Sequence, residues 1–89
     1  MKIQIPDYIQ VLIDLLNQNG YSAYVVGGAI RNALLELPIH DYDLTTDATP
    51  EKMLQVFSNY RVFQTGIQHG TITVLSNKQP VEITTFRSE

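Results

Sequence analysis

The 89-residue chain contains no cysteine, few charged residues and no apolar run long enough to cross a bilayer. Without cysteine it can form neither a disulfide nor a cysteine-ligated zinc site. The first ten residues, MKIQIPDYIQ, lack the basic segment and long apolar run of a signal peptide. We therefore predict a cytoplasmic protein without a membrane segment.

Positive charge is also scarce. Six lysines and arginines stand against nine acidic residues, and the formal net charge is -3. This balance does not favour a nucleic-acid-binding surface on these residues alone. The chain is 44% hydrophobic and only 17% charged, which is typical of a globular protein. Its length allows one small domain.

The spacing of apolar residues predicts an alternation of helices and strands. Helices are predicted over 7–19, 29–37 and 50–57, and strands over 21–26, 41–45, 60–65, 71–75 and 81–86. Thr49 and Pro50 form a helix start, since threonine is a good cap and proline suits the first turn. Ser76 to Pro80 is predicted as a hairpin turn. The order α-β-α-β-α-β-β-β predicts an α+β fold, a mixed sheet packed with helices.

Two aspartates, Asp41 and Asp43, are separated by one residue on a predicted strand. Side chains two positions apart on a strand point to the same face, with Cα atoms roughly 6.5–7 Å apart. Both carboxylates could then bind one Mg²⁺ ion, or bridge two ions about 3.5–4 Å apart. The alternative is a solvated pair on an edge strand, because a bare D-x-D occurs often by chance.

A glycine pair, Gly27 and Gly28, precedes the predicted second helix. Glycine lets the backbone approach a ligand closely, and the free N–H groups of a helix start attract phosphate. Arg31 lies one turn into the helix and can contact phosphate oxygens. An ordinary strand-to-helix turn would also explain the glycines. Together with the aspartates, these residues predict a site where metal and triphosphate meet, as nucleotidyl transfer requires.

Two further side chains are candidates. Glu82 alternates with Val81 and Ile83 in the last β-rich segment, so it faces away from them. If that strand lies beside the aspartate strand, Glu82 could bind the metal or deprotonate an attacking hydroxyl. Otherwise it faces solvent. His69, in the glycine-bounded loop 66–70, could contact phosphate or a leaving group, but it is interpreted as a loop-structuring residue.

Four segments carrying these residues resemble the N-terminal head of bacterial tRNA nucleotidyltransferases, the class II CCA-adding enzymes and their poly(A) polymerase relatives. The segments are YVVGGAIRNALL, HDYDLTTDATPEKM, GIQHGTITV and VEITTFR. The resemblance implies a polymerase-beta-like nucleotidyltransferase head. It also implies that Asp41 and Asp43 bind catalytic magnesium, and that Gly28 and Arg31 contact the triphosphate of the incoming nucleotide. The family usually has an Arg-Asp pair where this chain has Arg31-Asn32.

The function that this resemblance implies is template-independent addition of CMP and AMP to the 3′ end of tRNA, with CTP and ATP as substrates. A CC-adding or A-adding enzyme, a poly(A) polymerase, and a non-catalytic binding module with the same fold are the alternatives. In the family, an arginine-rich segment and an acid–arginine motif that follow the segments matched here select CTP and ATP. Helical neck, body and tail regions then hold the tRNA. Residues 1–89 are therefore expected to be part of a head domain that is inactive alone. Self-association through an exposed sheet edge is also expected. Light scattering that shows only monomer at high protein concentration would contradict it.

Overall fold

The computed structural model describes residues 5–26 and 43–86, which form a five-stranded mixed sheet with helices on one face. The elements are helix α1 (Asp7–Gln18), strands β1 (Ala23–Val26) and β2 (Asp43–Thr46), helix α2 (Pro50–Val56), strand β3 (Arg61–Phe63), a 3₁₀ turn (Ile67–His69), and strands β4 (Thr71–Ser76) and β5 (Gln79–Thr85). The strand order is β1-β2-β5-β4-β3. The predicted α+β class is confirmed. The predicted helix over 29–37 lies outside the described residues.

Helix α1 packs one apolar face against the sheet, as its spacing predicts. Ile9, Leu12, Ile13 and Leu16 are all buried. They join one core cluster with the inward-facing side chains of the strands, which are Leu44, Ile72, Val74, Val81 and Ile83. Burying these apolar side chains is the main source of stability for a domain of this size.

Helix α2 begins where the sequence predicts. The hydroxyl of Thr49 accepts a hydrogen bond from the backbone N–H of Lys52 at 3.3 Å, and Pro50 occupies the first turn. Met53 and Phe57 are fully buried, and the Phe57 ring meets the Tyr60 ring edge-on at 5.8 Å. Thr49 itself has an extended backbone, with φ of -70° and ψ of 161°, so the helix begins at Pro50.

The hairpin between β4 and β5 is tighter than predicted. The expected five-residue turn is wrong, because Ser76 pairs with Gln79 and Leu75 pairs with Pro80. Only Asn77 and Lys78 form the loop, with φ angles of 49° and 66°. Positive φ at both positions is what a two-residue type I′ turn requires, and its twist matches that of the flanking strands.

The two faces of the sheet differ in character. Both helices that the structure describes pack against the inner face. The other face, here called the open face, is defined by the strand pairing and the burial pattern. Its residues are Tyr24, Val26, Asp43, Thr45, Arg61, Phe63, Thr71, Thr73, Leu75, Pro80, Glu82 and Thr84. In the described part of the chain, neither helix has the length and apolarity needed to span a membrane.

Candidate functional site

The open face carries two carboxylates side by side. Asp43 and Glu82 occupy paired positions on β2 and β5, which run parallel. Adjacent strands lie about 4.8 Å apart, so paired residues on one face have neighbouring side chains. Asp43 is half-buried and Glu82 is exposed. The interpretation of Glu82 as a third carboxylate required its strand to lie beside the aspartate strand, and it does. The chemical role of Glu82 stays a prediction.

Strand alternation explains why both carboxylates reach the open face. Val81 and Ile83 are fully buried on either side of Glu82. Leu44, next to Asp43, is only 1% exposed. Since successive side chains on a strand point to opposite faces, burying these apolar neighbours turns both acids outward. The core therefore orients the carboxylate pair.

A single row of paired residues crosses all five strands of the described sheet. In order from β1 to β3 it contains Val26, Asp43, Glu82, Thr73 and Phe63. The carboxylates are in the middle of the row. Val26, which pairs with Asp43, immediately precedes the glycine pair in the sequence. A hydroxyl and an aromatic ring follow Glu82 on the other side.

The next row on the open face is rich in hydroxyl groups. Tyr24, Thr45, Thr84 and Thr71 are paired in turn across four strands. The hydroxyl oxygens of Thr71 and Thr84 lie 2.9 Å apart and share a hydrogen bond. Tyr24 is 57% exposed, and its ring centroid lies 6.4 Å from that of Phe86. The open face thus offers polar groups and aromatic surface around the acids.

Other predicted site residues lie outside the described part of the chain. These are Gly27, Gly28, Arg31 and Asp41. Within residues 5–26 and 43–86, no three potential metal ligands come together. The described residues supply two of the three predicted carboxylates. Carboxylate oxygens on an accessible face fit Mg²⁺, a hard cation that binds through oxygen ligands and keeps several waters.

His69 lies in a loop that main-chain groups hold in place. Its backbone N–H donates to the Gly66 carbonyl at 2.9 Å, and the Gly70 carbonyl accepts from the Thr85 N–H at 2.8 Å. Gly70 has a φ of 80°, a left-handed conformation that favours glycine. The exposed imidazole lies 3.3 Å from the Gln68 amide. His69 belongs to a structured loop, although the loop is held chiefly by its backbone.

Two residues of the open face were not singled out from the sequence. Arg61 and Phe63 flank Val62, which packs against the core, so both face outward. The guanidinium carbon of Arg61 lies 5.7 Å from the centroid of the Phe63 ring. The alternation of side chains on either side of the apolar Val62 is the sequence pattern that could have indicated this outward direction. Only strand pairing connects this ring to the row that contains Glu82.

A family model and the sequences of known proteins both relate this chain to the same family of enzymes. The family model described as "Poly A polymerase head domain" matches residues 23–89. A CCA-adding enzyme of Enterococcus faecalis is 50% identical over 74 residues, and one of Lactobacillus delbrueckii subsp. bulgaricus is 49% identical over 78 residues. The matches cover 83% and 88% of this chain, but only 18% and 19% of those proteins. The chain therefore spans about a fifth of the length of these relatives.

Solved structures share the fold. The crystal structure of the Bacillus stearothermophilus CCA-adding enzyme in complex with CTP aligns with a TM-score of 0.83 and 38% identity, over 94% of this chain and 22% of that one. A tRNA nucleotidyltransferase complexed with a primer tRNA and an incoming ATP analog aligns with a TM-score of 0.68. At 23% identity, over 85% of this chain and 23% of that one, this second likeness shows the fold alone.

Proposed function

Because the chain belongs to the poly A polymerase head-domain family, we propose that it carries the metal-binding and triphosphate-binding half of a cytoplasmic tRNA nucleotidyltransferase. The reaction is template-independent addition of CMP and AMP to the tRNA 3′ end. Identity of 50% and 49% to CCA-adding enzymes favours this substrate class over a poly(A) polymerase. The observation that carries the proposal is the parallel pairing of Asp43 with Glu82 on the open face.

The proposed reaction exchanges a phosphoanhydride bond of the nucleotide for a new phosphodiester bond. The 3′ oxygen of the RNA forms a bond to the α-phosphorus of CTP or ATP. The bond from that phosphorus to the oxygen bridging the α- and β-phosphates breaks, and pyrophosphate leaves with its electron pair. The proton of the attacking hydroxyl must pass to a base. Catalysis of such a step is mostly positioning and electrostatic stabilisation.

Each candidate residue has a proposed role in this step. Asp41 and Asp43 would hold magnesium, which when bound would neutralise the charge that develops on the transferred phosphoryl group. Gly27, Gly28 and Arg31 would hold the triphosphate. Glu82 would complete the carboxylate set, or accept the proton of the attacking hydroxyl.

The 89 residues supply no proposed site for the base of the nucleotide or for the body of tRNA. We therefore propose that they bind metal and nucleotide but do not complete the addition by themselves. A CC-adding enzyme, an A-adding enzyme or a poly(A) polymerase would use the same half-site. Discrimination between CTP and ATP is accordingly expected to be weak in this chain.

Calorimetric titration of the chain with CTP and ATP, with and without Mg²⁺, tests the proposal. We expect nucleotide binding that requires the metal. The substitution Asp43→Asn keeps the size of the side chain and removes its charge, so it should weaken metal-dependent binding about tenfold or more, because a bound cation loses a charged ligand. Glu82→Gln distinguishes the two roles of Glu82: binding should fall to a similar extent when Glu82 holds the metal, and stay unchanged when Glu82 only accepts the proton.

Glu51→Gln is the matched control, since Glu51 is an exposed acid on helix α2. It removes one charge from the molecule without touching the open face, and binding should stay unchanged. Equal weakening by Glu51→Gln and Asp43→Asn would show that net charge, and not a site on the open face, causes the effect. Metal-independent nucleotide binding in all variants would contradict the proposed site.

A further inference from the structure

An aromatic ring and a cation stand together on the β3 edge of the open face. Phe63 is 41% exposed, and the Arg61 guanidinium carbon lies 5.7 Å from its ring centroid. Among the strand residues that the structure describes, Arg61 is the one lysine or arginine. An exposed ring beside a guanidinium combines base stacking with attraction for phosphate, the two interactions that bind single-stranded nucleic acid.

The strand register places this pair in line with the carboxylates. Phe63 pairs with Thr73, and Thr73 pairs with Glu82, so Phe63 is two strands away from Glu82 on the same face. Two strand spacings correspond to about 10 Å between Cα atoms. A terminal nucleotide can span this interval with its base near the ring and its 3′ hydroxyl near Glu82.

The geometry of the proposed reaction indicates on which side of Asp43 and Glu82 the RNA binds. The glycine pair follows Val26 at the end of β1, so the triphosphate is expected on the β1 side of Asp43. Attacking and leaving oxygens lie roughly in line across the α-phosphorus in phosphoryl transfer. If pyrophosphate leaves towards β1, the attacking hydroxyl approaches from the opposite side, over β4 and β3.

We propose that Phe63 and Arg61 bind the 3′-terminal segment of the acceptor RNA, with a base against the Phe63 ring and a backbone phosphate near Arg61. This inference rests on the proposed nucleotidyltransferase function and assigns the acceptor side of the same site. Charge supports RNA as the occupant, because Arg61 offsets the repulsion that phosphates meet beside Asp43 and Glu82. The pair positions the acceptor and takes no part in the chemical step.

The test uses a short single-stranded RNA with a 5′ fluorescent label and a free 3′ end terminating in two cytidines. Its affinity for the 89-residue chain is measured by fluorescence anisotropy in Mg²⁺. Phe63→Ala should raise Kd roughly tenfold, because a stacked base is lost. Phe63→Tyr should restore binding. Tyr24→Ala, which removes an exposed aromatic from the opposite edge of the same face, should leave Kd unchanged.

Salt dependence separates the role of the charge from a structural effect. Arg61→Ala should reduce the slope of log K against log salt concentration by about 0.7, the value for one phosphate contact on a single strand. Phe63→Ala should leave that slope unchanged. A slope that is the same in wild type and Arg61→Ala would overturn the phosphate contact.

Magnesium-dependent CTP binding, measured on the same variants, distinguishes this inference from the proposed function. CTP binding that survives Phe63→Ala while RNA binding falls supports the inference. CTP binding in wild type, combined with no RNA binding or with equal RNA affinities for Phe63→Ala and Tyr24→Ala, overturns the inference alone. Wild-type dimers that are lost in Phe63→Ala, without a change in RNA affinity, would assign the β3 edge to contact with a second copy of the chain. That result would also overturn the inference. Absence of metal-dependent CTP binding in wild type would instead contradict the proposed function.

Discussion

At the scale of single residues, Thr46 shows how a buried polar side chain links the sheet to the loop that follows it. Thr46 is fully buried, and its hydroxyl donates to the Ser22 carbonyl at 2.5 Å. The same oxygen accepts from the Ala48 N–H at 3.2 Å. One hydroxyl thus satisfies two backbone groups at the start of β1 and the end of β2, which fixes the strand that carries Asp43.

Thr46→Val should lower the free energy of unfolding by about 1–3 kcal/mol. Valine keeps the shape and β-branching, but it leaves the buried Ala48 N–H and the partly buried Ser22 carbonyl without their partner. Urea unfolding followed by circular dichroism measures the change. Thr45→Val is the matched control, because the same substitution on the open face should change stability by less than about 0.5 kcal/mol. Equal effects at the two positions would contradict this account.

Asp43 and Glu82 illustrate a different residue-scale principle. Neither acid is oriented by a described ion pair or cap. Their direction follows from the buried neighbours Leu44, Val81 and Ile83, which have between 0% and 1% exposure. Acidic side chains on this face stay accessible to solvent and to a cation, which avoids the cost of burying two like charges together.

At the scale of elements, the hairpin between β4 and β5 sets the register of the site. The two-residue loop pairs Thr73 with Glu82. A shift of one residue would move Glu82 to the inner face and Val81 to the open face. The tight turn at Asn77 and Lys78 is therefore part of what places the second carboxylate.

Lys78→Gly should raise the free energy of unfolding by about 0.5–1 kcal/mol. Lys78 has a φ of 66°, and the left-handed conformation costs a non-glycine residue about 1–2 kcal/mol, whereas glycine loses more backbone entropy on folding. Thermal and urea unfolding measure the gain. Lys78→Ala, which removes the charge and keeps a Cβ atom, should change stability little. A gain with alanine as large as that with glycine would point to charge rather than backbone conformation.

At the scale of the whole molecule, the two faces of the described sheet serve different purposes: the inner face stabilises the fold, and the open face carries the proposed site. Both described helices and the core lie on the inner face of the sheet. The carboxylates of Asp43 and Glu82 and the exposed rings of Tyr24 and Phe63 lie on the open face, together with the paired hydroxyls of Thr71 and Thr84. The described sheet ends in short edge strands, four residues in β1 and three in β3. Short edges limit strand-to-strand association between copies, and self-association stays a prediction.

The 89-residue chain should not add nucleotides to tRNA at a measurable rate, although it is expected to bind magnesium and CTP. It spans about a fifth of relatives such as the Enterococcus faecalis CCA-adding enzyme. The assay measures incorporation of radiolabelled CTP into a tRNA that lacks its terminal CCA. That relative, tested on the same tRNA, is the positive control. Turnover approaching that of the control would show that these residues suffice for catalysis.

The sequence alone predicted much of the fold because its strongest signals are local. Apolar spacing identified the buried face of α1, and Thr49 with Pro50 identified the start of α2. Alternation around Glu82 predicted that it faces away from Val81 and Ile83. Such patterns depend only on the geometry of one helix or strand, so they are visible in a single segment.

Tertiary structure decided which segments become neighbours. Nothing in either segment alone shows that Asp43 and Glu82 lie side by side, or that Phe63 joins their row. Those contacts depend on the strand order β1-β2-β5-β4-β3. That order is selected by burying every apolar face in one core at once, a condition on the whole chain. Residue types determined what chemistry the protein can offer, and packing of the core determined where on the sheet those groups meet.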